Sequence, residues 1–168
     1  MKILIFRHGP AEPGGDGLAD ADRALTPDGA AKTRLAVQGL ARIIERPDAI
    51  LSSPKRRAQQ TAGILGDVFD LPVETADALG RDELQPIETC LQARGEPAVA
   101  IVGHEPTLSR LAGKFLGIPP RAGHIEINKA AAVVMHVACP PRDQTEPSRL
   151  DLLLPSRVLR MLAAPARD

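Results

Sequence analysis

The chain switches repeatedly between unbroken apolar runs and segments whose apolar positions recur every three or four residues, the alternation of strands and helices expected of an α/β protein. Residues 3–6 form a continuous apolar run with two isoleucines, the pattern of a strand buried on both faces, as in a parallel sheet. After a loop rich in Gly and Asp, Thr26-Pro27-Asp28 has the chemistry of a helix start: a capping hydroxyl, a first-turn proline and a carboxylate at the positive end. Thr33, Val37, Leu40 and Ile44 then share one helical face, and Pro47 is expected to end that helix. Residues 49–52 read as a second strand. Ser53-Pro54 opens a second helix by the same cap-and-proline logic, with Ala58, Thr61, Ala62, Leu65 and Phe69 as its core-facing stripe. Further along, residues 73–75 read as a short strand and 86–93 as a helix closed by Gly95. Residues 99–102 form another buried strand, followed by a helix that runs to about Leu116 with Gly117 as its cap. Two final strands, 131–137 and 150–154, are joined by a Pro-rich loop over 139–148 that is expected to be the most mobile segment.

No internal repeat or linker divides the 168 residues, so a single α/β domain over residues 1–168 is expected, long enough to bury roughly two thirds of its unfolded surface. Lys plus Arg and Asp plus Glu both count 21, so no net field attracts nucleic acid or anionic lipid. Trp and Tyr are absent and Phe occurs three times, which removes the stacking platforms of base-reading proteins. Cys90 and Cys139 have no CxxC spacing; they read as inert thiols in a reducing compartment, with neither a disulfide framework nor a thiolate zinc site. The apolar run before Arg7 is too short for a secretory signal, and residues 130–139, interrupted by His136, are about half the ~20 residues of a membrane helix. The expected location is the cytoplasm.

Ligands of open, largely parallel sheets bind beyond the carboxyl ends of the strands. There the first strand ends in Arg7-His8-Gly9, the second reaches Ser53 with Arg57 one helical turn further on, and a later strand ends in Gly103-His104. Two guanidiniums and two imidazoles suit a phosphoryl group: guanidiniums bind its oxygens bidentately, helix N-termini offer free N–H groups, and an imidazole can attack phosphorus. Such a pocket requires no metal or other cofactor. A metallohydrolase built on His8, His104, His124 and His136 lacks any HxH, HExxH or Asp-rich spacing, and His124 and His136 read as structural. Lys55 and Arg56 read as a solvated helix face.

Arg7-His8-Gly9 directly after a strand resembles the RHG signature of the histidine phosphatase superfamily, the phosphoglycerate-mutase-like proteins. Three further blocks agree with it: Asp22-Arg23 with Leu25-Thr26-Pro27-Asp28-Gly29, the run from Ser53-Pro54 through Arg57-Ala58 to Gln60-Thr61, and Gly103-His104-Glu105-Pro106-Thr107. In order and spacing they resemble the small SixA-type phosphohistidine phosphatases over most of residues 2 to 117, and the final strand pair resembles them more loosely. The resemblance implies a three-layer α/β/α sandwich with a mostly parallel sheet and an antiparallel C-terminal edge. It also implies that His8 is a nucleophile carrying a covalent phosphate, with Arg7, Arg57 and His104 binding the transferred group. Ser53 either adds a hydroxyl contact or serves only as a helix cap. The chemistry agrees, since cations near His8 favour its neutral, nucleophilic form and stabilise the transition-state oxygens. Larger relatives place a general acid after the third strand. Here Glu12, Asp82, Glu83 and Glu105 all lack an alignable motif, and Glu83 is taken forward as the candidate.

The expected function is a metal-independent phosphatase acting in signal transduction on phosphohistidine of a protein phosphotransfer domain. The alternatives are a small-molecule phosphomonoesterase or mutase and a non-catalytic phosphate- or phosphoprotein-binding module; the intact His8 with both arginines weighs against the binder, which needs no nucleophile. The stretch from Thr75 to His104 is too short for the helical insert that lids the pocket in larger relatives, so the site is expected to be open to a side chain of another protein. The expected partners are therefore a phosphorylated protein or a phosphorylated small molecule, with no nucleic acid and no membrane.

Overall fold

The computed structural model describes residues 1–15, 17–119, 125–138 and 147–163. At its centre β1 (Lys2–Arg7) pairs in parallel with β4 (Ala98–Gly103). With β2 (Ala49–Ser52), β3 (Val73–Thr75), β5 (Ala132–His136) and β6 (Arg149–Leu154) they form a six-stranded sheet of order β3-β2-β4-β1-β5-β6. The first four are mutually parallel; β5 is antiparallel to both β1 and β6. Because β1 and β4 lie inside the sheet and both faces are covered, their central residues, 3–6 and 99–102, are apolar at every position rather than at alternate ones.

Leu4, Phe6, Ile50, Ala100, Val102 and Val134 face α1 (Pro27–Leu40), α2 (Arg56–Phe69) and α5 (Ser156–Ala163). Ile3, Ile5, Leu51, Val99, Ile101 and Val133 face α3 (Leu84–Gln92) and α4 (Thr107–Phe115). The result is the expected three-layer α/β/α sandwich with an antiparallel edge.

Several boundaries differ from the sequence reading. Thr26 caps α1 as expected, its Oγ1 accepting from Gly29 N at 2.9 Å, but the helix ends at Leu40, not at Pro47. It tightens there into i→i+3 bonds, Gly39 O to Arg42 N and Leu40 O to Ile43 N, and Ile44 still packs at the core edge. Helix α2 begins at Arg56, and Lys55, not Ser53, is its cap residue. Helix α3 starts two residues early, at Leu84, and ends through Ala93 in a right-handed conformation, leaving Gly95 outside the cap. Gly117 does close α4, at φ +68°, donating its N–H to Lys114 O.

The sequence reading had no element at α5 and none at the 3-10 turns Asp20–Asp22 and Asp77–Gly80. Eight residues are too few to hold a helix in isolation. Helix α5 exists because Leu159 is fully buried in the core and Gly39 of α1 lets its backbone come close: a Cβ at Gly39 would sit 1.8 Å from Leu159 O. The expectation of a mobile loop falls mainly on residues 139–146, which with Cys139 and His124 lie outside the described residues. His136 is the last residue of β5, and Cys90 is a half-buried free thiol on α3. Among the described residues no helix is long and apolar enough to cross a membrane.

Candidate active site

The strand order builds the site. Arg7 pairs with Gly103 across β1 and β4, and Ser52 pairs with Val102 across β2 and β4. The chain then continues past three adjacent strand ends, with His8 N donating to Gly103 O at 3.1 Å and Ser53 N to Val102 O at 2.9 Å. Ser53, His104 and His8 therefore emerge next to one another, and the first turn of α2 adds Arg57. The two imidazole centroids are 5.0 Å apart, tilted by 50°. His104 Nε2 lies 2.8 Å from Ser53 Oγ, so that hydroxyl is a contact of the second imidazole and not the cap of α2.

Gly9 fixes the backbone next to His8. A Cβ there would fall 2.1 Å from Thr33 Oγ1 and 3.3 Å from Leu25 Cδ2, so only glycine allows the strand end to pass this close to α1. Gly9 N donates to Thr61 Oγ1 at 3.0 Å, and Thr61 Oγ1 donates to Arg57 O at 2.8 Å, so one threonine joins the loop after His8 to the first turn of α2. Gly9 O lies 2.7 Å from His8 Nδ1. A carbonyl can only accept, so Nδ1 carries the proton and Nε2 keeps its lone pair.

His8 is 6% exposed, Arg57 5% and His104 9%. Burial is the largest influence on both histidines, lowering His8 from 6.5 to about 4 and His104 to about 3. For His8 the Gly9 bond opposes this, and Arg57, Arg7 and Lys129 add to it. For His104, His8, Arg57 and Lys55 add to burial, while Asp20 opposes it. The arginines thus act in the expected direction, but desolvation is the greater cause.

Arg7 Nη1 donates to Ile127 O at 2.8 Å, and Arg57 donates through Nη1 to Asp20 O and through Nη2 to Asp20 Oδ2 at 3.0 Å. In both side chains Nε is buried and has no partner, as is His104 Nδ1. An unmet buried donor costs roughly 1–3 kcal/mol, more when charged. Unmet donors concentrated on the residues at these strand ends describe a receptor for an oxyanion.

Glu83 is not drawn into this cluster. It is exposed at the start of α3, and no hydrogen bond or ion pair ties it to His8, Ser53, Arg57 or His104. Its neighbour Asp82 accepts from Thr107 Oγ1 at 3.1 Å, and Glu12 is exposed, its backbone oxygen accepting from Arg23 Nε. Glu105 is half-buried, with Oε2 accepting from Ser109 Oγ and Oε1 buried without a partner. Burial raises its pKa, against the opposing pull of the Ser109 bond and Arg7.

Lys55 corrects the sequence reading. It is not part of a solvated face, since its Nζ binds Asp20 Oδ2 at 3.0 Å beside Arg57, whereas Arg56 is exposed as expected. Gln60 accepts from Leu25 N at 2.6 Å and ties the loop before α1 to α2. The role of Thr61 had a signal in the sequence, a hydroxyl on the core-facing stripe of α2; Gln60, off that stripe, had none. Asp20 had none beyond its i,i+3 spacing to Arg23. No group of three or more His, Cys, Asp or Glu side chains is placed to hold a metal ion among the described residues.

Residues 3–81 match the sequence model of the histidine phosphatase superfamily (branch 1). The phosphohistidine phosphatase SixA of Escherichia coli strain K12 is 32% identical over 124 residues, which span 68% of this chain and 74% of that protein. The fold superposes with a TM-score of 0.76 on the protein histidine phosphatase SixA complexed with tungstate, at 24% identity over 94% of this chain and 98% of that one. It superposes at 0.69 on the alpha-ribazole phosphatase from Shigella flexneri, at 19% identity over 93% and 97% of the two chains.

Proposed function

The chain belongs to the histidine phosphatase superfamily and is a phosphatase of that family; we propose that it hydrolyses phosphohistidine on another protein through a covalent phosphate on His8. The observation that carries this reading is the pairing of a neutral His8, its Nε2 lone pair free, with the buried and unpartnered Nε–H groups of Arg7 and Arg57. In the first step His8 Nε2 attacks phosphorus, and the P–N bond to the substrate imidazole breaks. The leaving nitrogen takes up a proton from water or from Glu105. Arg7, Arg57 and His104 Nδ1–H hold the three oxygens as charge builds on them. For His104 this requires Ser53 Oγ–H to donate to Nε2, which the 2.8 Å contact permits. In the second step water attacks the phosphorus on His8, releasing inorganic phosphate and restoring the imidazole. No step requires a metal.

Two features support a protein substrate. Between β3 and β4 the chain forms only the turn Asp77–Gly80 and α3, whose Ile87 and Leu91 are committed to the core, so this segment is a layer of the sandwich. An imidazole also leaves far more readily than an alkoxide, so the chemistry asks little of a proton donor. Where a donor is needed, Glu105 has the environment to hold a proton, half-buried beside His104 with a raised pKa. Glu83 is the exposed alternative.

A small-molecule phosphomonoesterase is the second reading, favoured by the fold shared with the alpha-ribazole phosphatase. The test compares kcat/KM for a phosphorylated histidine phosphotransfer domain with values for sugar and glycerate phosphates. The phosphoprotein should be preferred. A metabolite favoured by about a hundredfold, ~2.7 kcal/mol of transition-state binding, would overturn the reading.

A further inference from the structure

Arg57 is held from outside the phosphoryl site by a single residue. The 3-10 turn Asp20–Asp22 sits at the start of α2, where Asp20 meets the guanidinium twice: its backbone oxygen accepts from Nη1 and its Oδ2 from Nη2 at 3.0 Å. The same Oδ2 accepts from Lys55 Nζ, and Oδ1 from Arg23 Nη1, each at 3.0 Å. Lys55 first, then Arg57, holds the Asp20 carboxyl well below the usual carboxylate range, so it is charged throughout the neutral range.

A guanidinium is a rigid planar fork, so engaging both Nη atoms also sets the direction of Nε–H. That third donor of Arg57 is the one left buried and unpartnered. Arg7 follows the same plan, with Nη1 on Ile127 O and Nε unpartnered. Each arginine is thus tied to the protein through Nη, once in Arg7 and twice in Arg57, while its Nε has no protein partner.

We propose that Asp20 is a positioning residue for phosphoryl transfer, clamping Arg57 through Nη1 and Nη2 so that the guanidinium, with its remaining N–H groups, is held in place for the phosphoryl oxygens. The inference rests on the phosphatase reading of the site. The rival role for the same contacts is an internal anion that competes with phosphate for Arg57, and the two roles have opposite consequences. The bonded atoms favour the clamp, because Asp20 takes one N–H each from Nη1 and Nη2 and leaves three of the five guanidinium N–H groups, Nε–H among them, without a bond to it.

The turn has other attachments that survive loss of the carboxylate. Glu12 N donates to Ala24 O, Arg23 Nε to Glu12 O, and Leu25 N to Gln60 Oε1. Asp20 itself is about half exposed, where ion pairs add little to stability. An Asp20→Ala protein is therefore expected to fold.

The experiment measures orthovanadate binding by calorimetry for the wild type, Asp20→Ala and Asp20→Asn, together with kcat and KM on an aryl phosphate and the thermal midpoint. Asp20→Ala should bind vanadate about tenfold more weakly and lose about tenfold in kcat, with a thermal midpoint close to that of the wild type. Asp20→Asn keeps an oxygen for Nη2 and should recover part of both losses. Vanadate affinity is read without turnover, so a protein inactive on every phosphate compound would sink the phosphatase reading while still testing the clamp. Unchanged or tighter vanadate binding in Asp20→Ala would overturn the proposal. So would a loss of affinity that merely tracks a collapsed thermal midpoint in both variants.

Discussion

His8 and His104 stand 5.0 Å apart between ring centroids because the residues just before them, Arg7 and Gly103, are paired across the two central strands. Two imidazoles this close, both buried and both near Arg57, resist protonation together. At neutral pH His8 is therefore unprotonated at Nε2, and the proposed attack on phosphorus needs no base to deprotonate it.

The same pair gives the protein a defined response to acid. Both histidines have folded pKa values, about 4 and about 3, below the ordinary 6.5. Between pH 6.5 and 4 the unfolded chain binds protons that the folded chain does not. Stability is thus fully present above pH 6.5 and falls as the pH drops through that window. Urea midpoints measured from pH 7.5 to 4.5 should show the decline, and a His8→Gln, His104→Gln double variant should flatten it. In single-turnover assays the acid limb of phosphoryl transfer to His8 should lie near pH 4; a limb at 6.5 would mean that His8 is solvated.

Rapid acid-free quenching during turnover should trap phosphate on His8 as an acid-labile, base-stable adduct, and His8→Ala should abolish turnover. Activity should survive exhaustive chelation, and vanadate, which mimics five-coordinate phosphorus, should inhibit. Arg57→Lys keeps the charge but loses the planar fork held by Asp20, and should cost roughly 10–100-fold in kcat. A phosphoserine adduct, or activity lost to EDTA and restored by a divalent ion, would contradict the mechanism.

The leaving group decides how much a proton donor matters. Glu105→Gln should lower kcat on an alkyl phosphate by about tenfold or more and on phosphohistidine far less, while Glu83→Gln should leave both nearly unchanged. The reverse ranking would return the role to Glu83, the residue suggested by the sequence.

Gly9 offers a packing test. Gly9→Ala places a methyl 2.1 Å from Thr33 Oγ1, an overpacking expected to cost about 1–3 kcal/mol. Adding Thr33→Ala removes that oxygen and should recover part of the loss. Strict additivity of the two substitutions would show that the backbone had moved instead.

What the sequence determined by itself was whatever a few consecutive residues can settle. The runs at 3–6, 49–51 and 99–102 lie in strands whose apolar residues are unbroken because an interior strand is covered on both faces. Thr26 caps α1 through a bond to a residue three positions on. The residues leaving those strands, Arg7-His8, Ser53 and Gly103-His104, were readable as a site because parallel sheets gather their ligands at such ends. Tertiary structure decided what depends on partners distant in the chain. Helix α5 is too short to stand without Gly39 and the core around Leu159. Asp20 and Lys55 gained their roles when a turn 37 residues from Arg57 in sequence was laid against α2. Which carboxyl resists ionisation also follows from burial: Glu105 is half-buried with its pKa raised, whereas Glu83 is exposed. The same cause governs the histidines, whose pKa values are set first by desolvation, a quantity that exists only once the chain has closed around them.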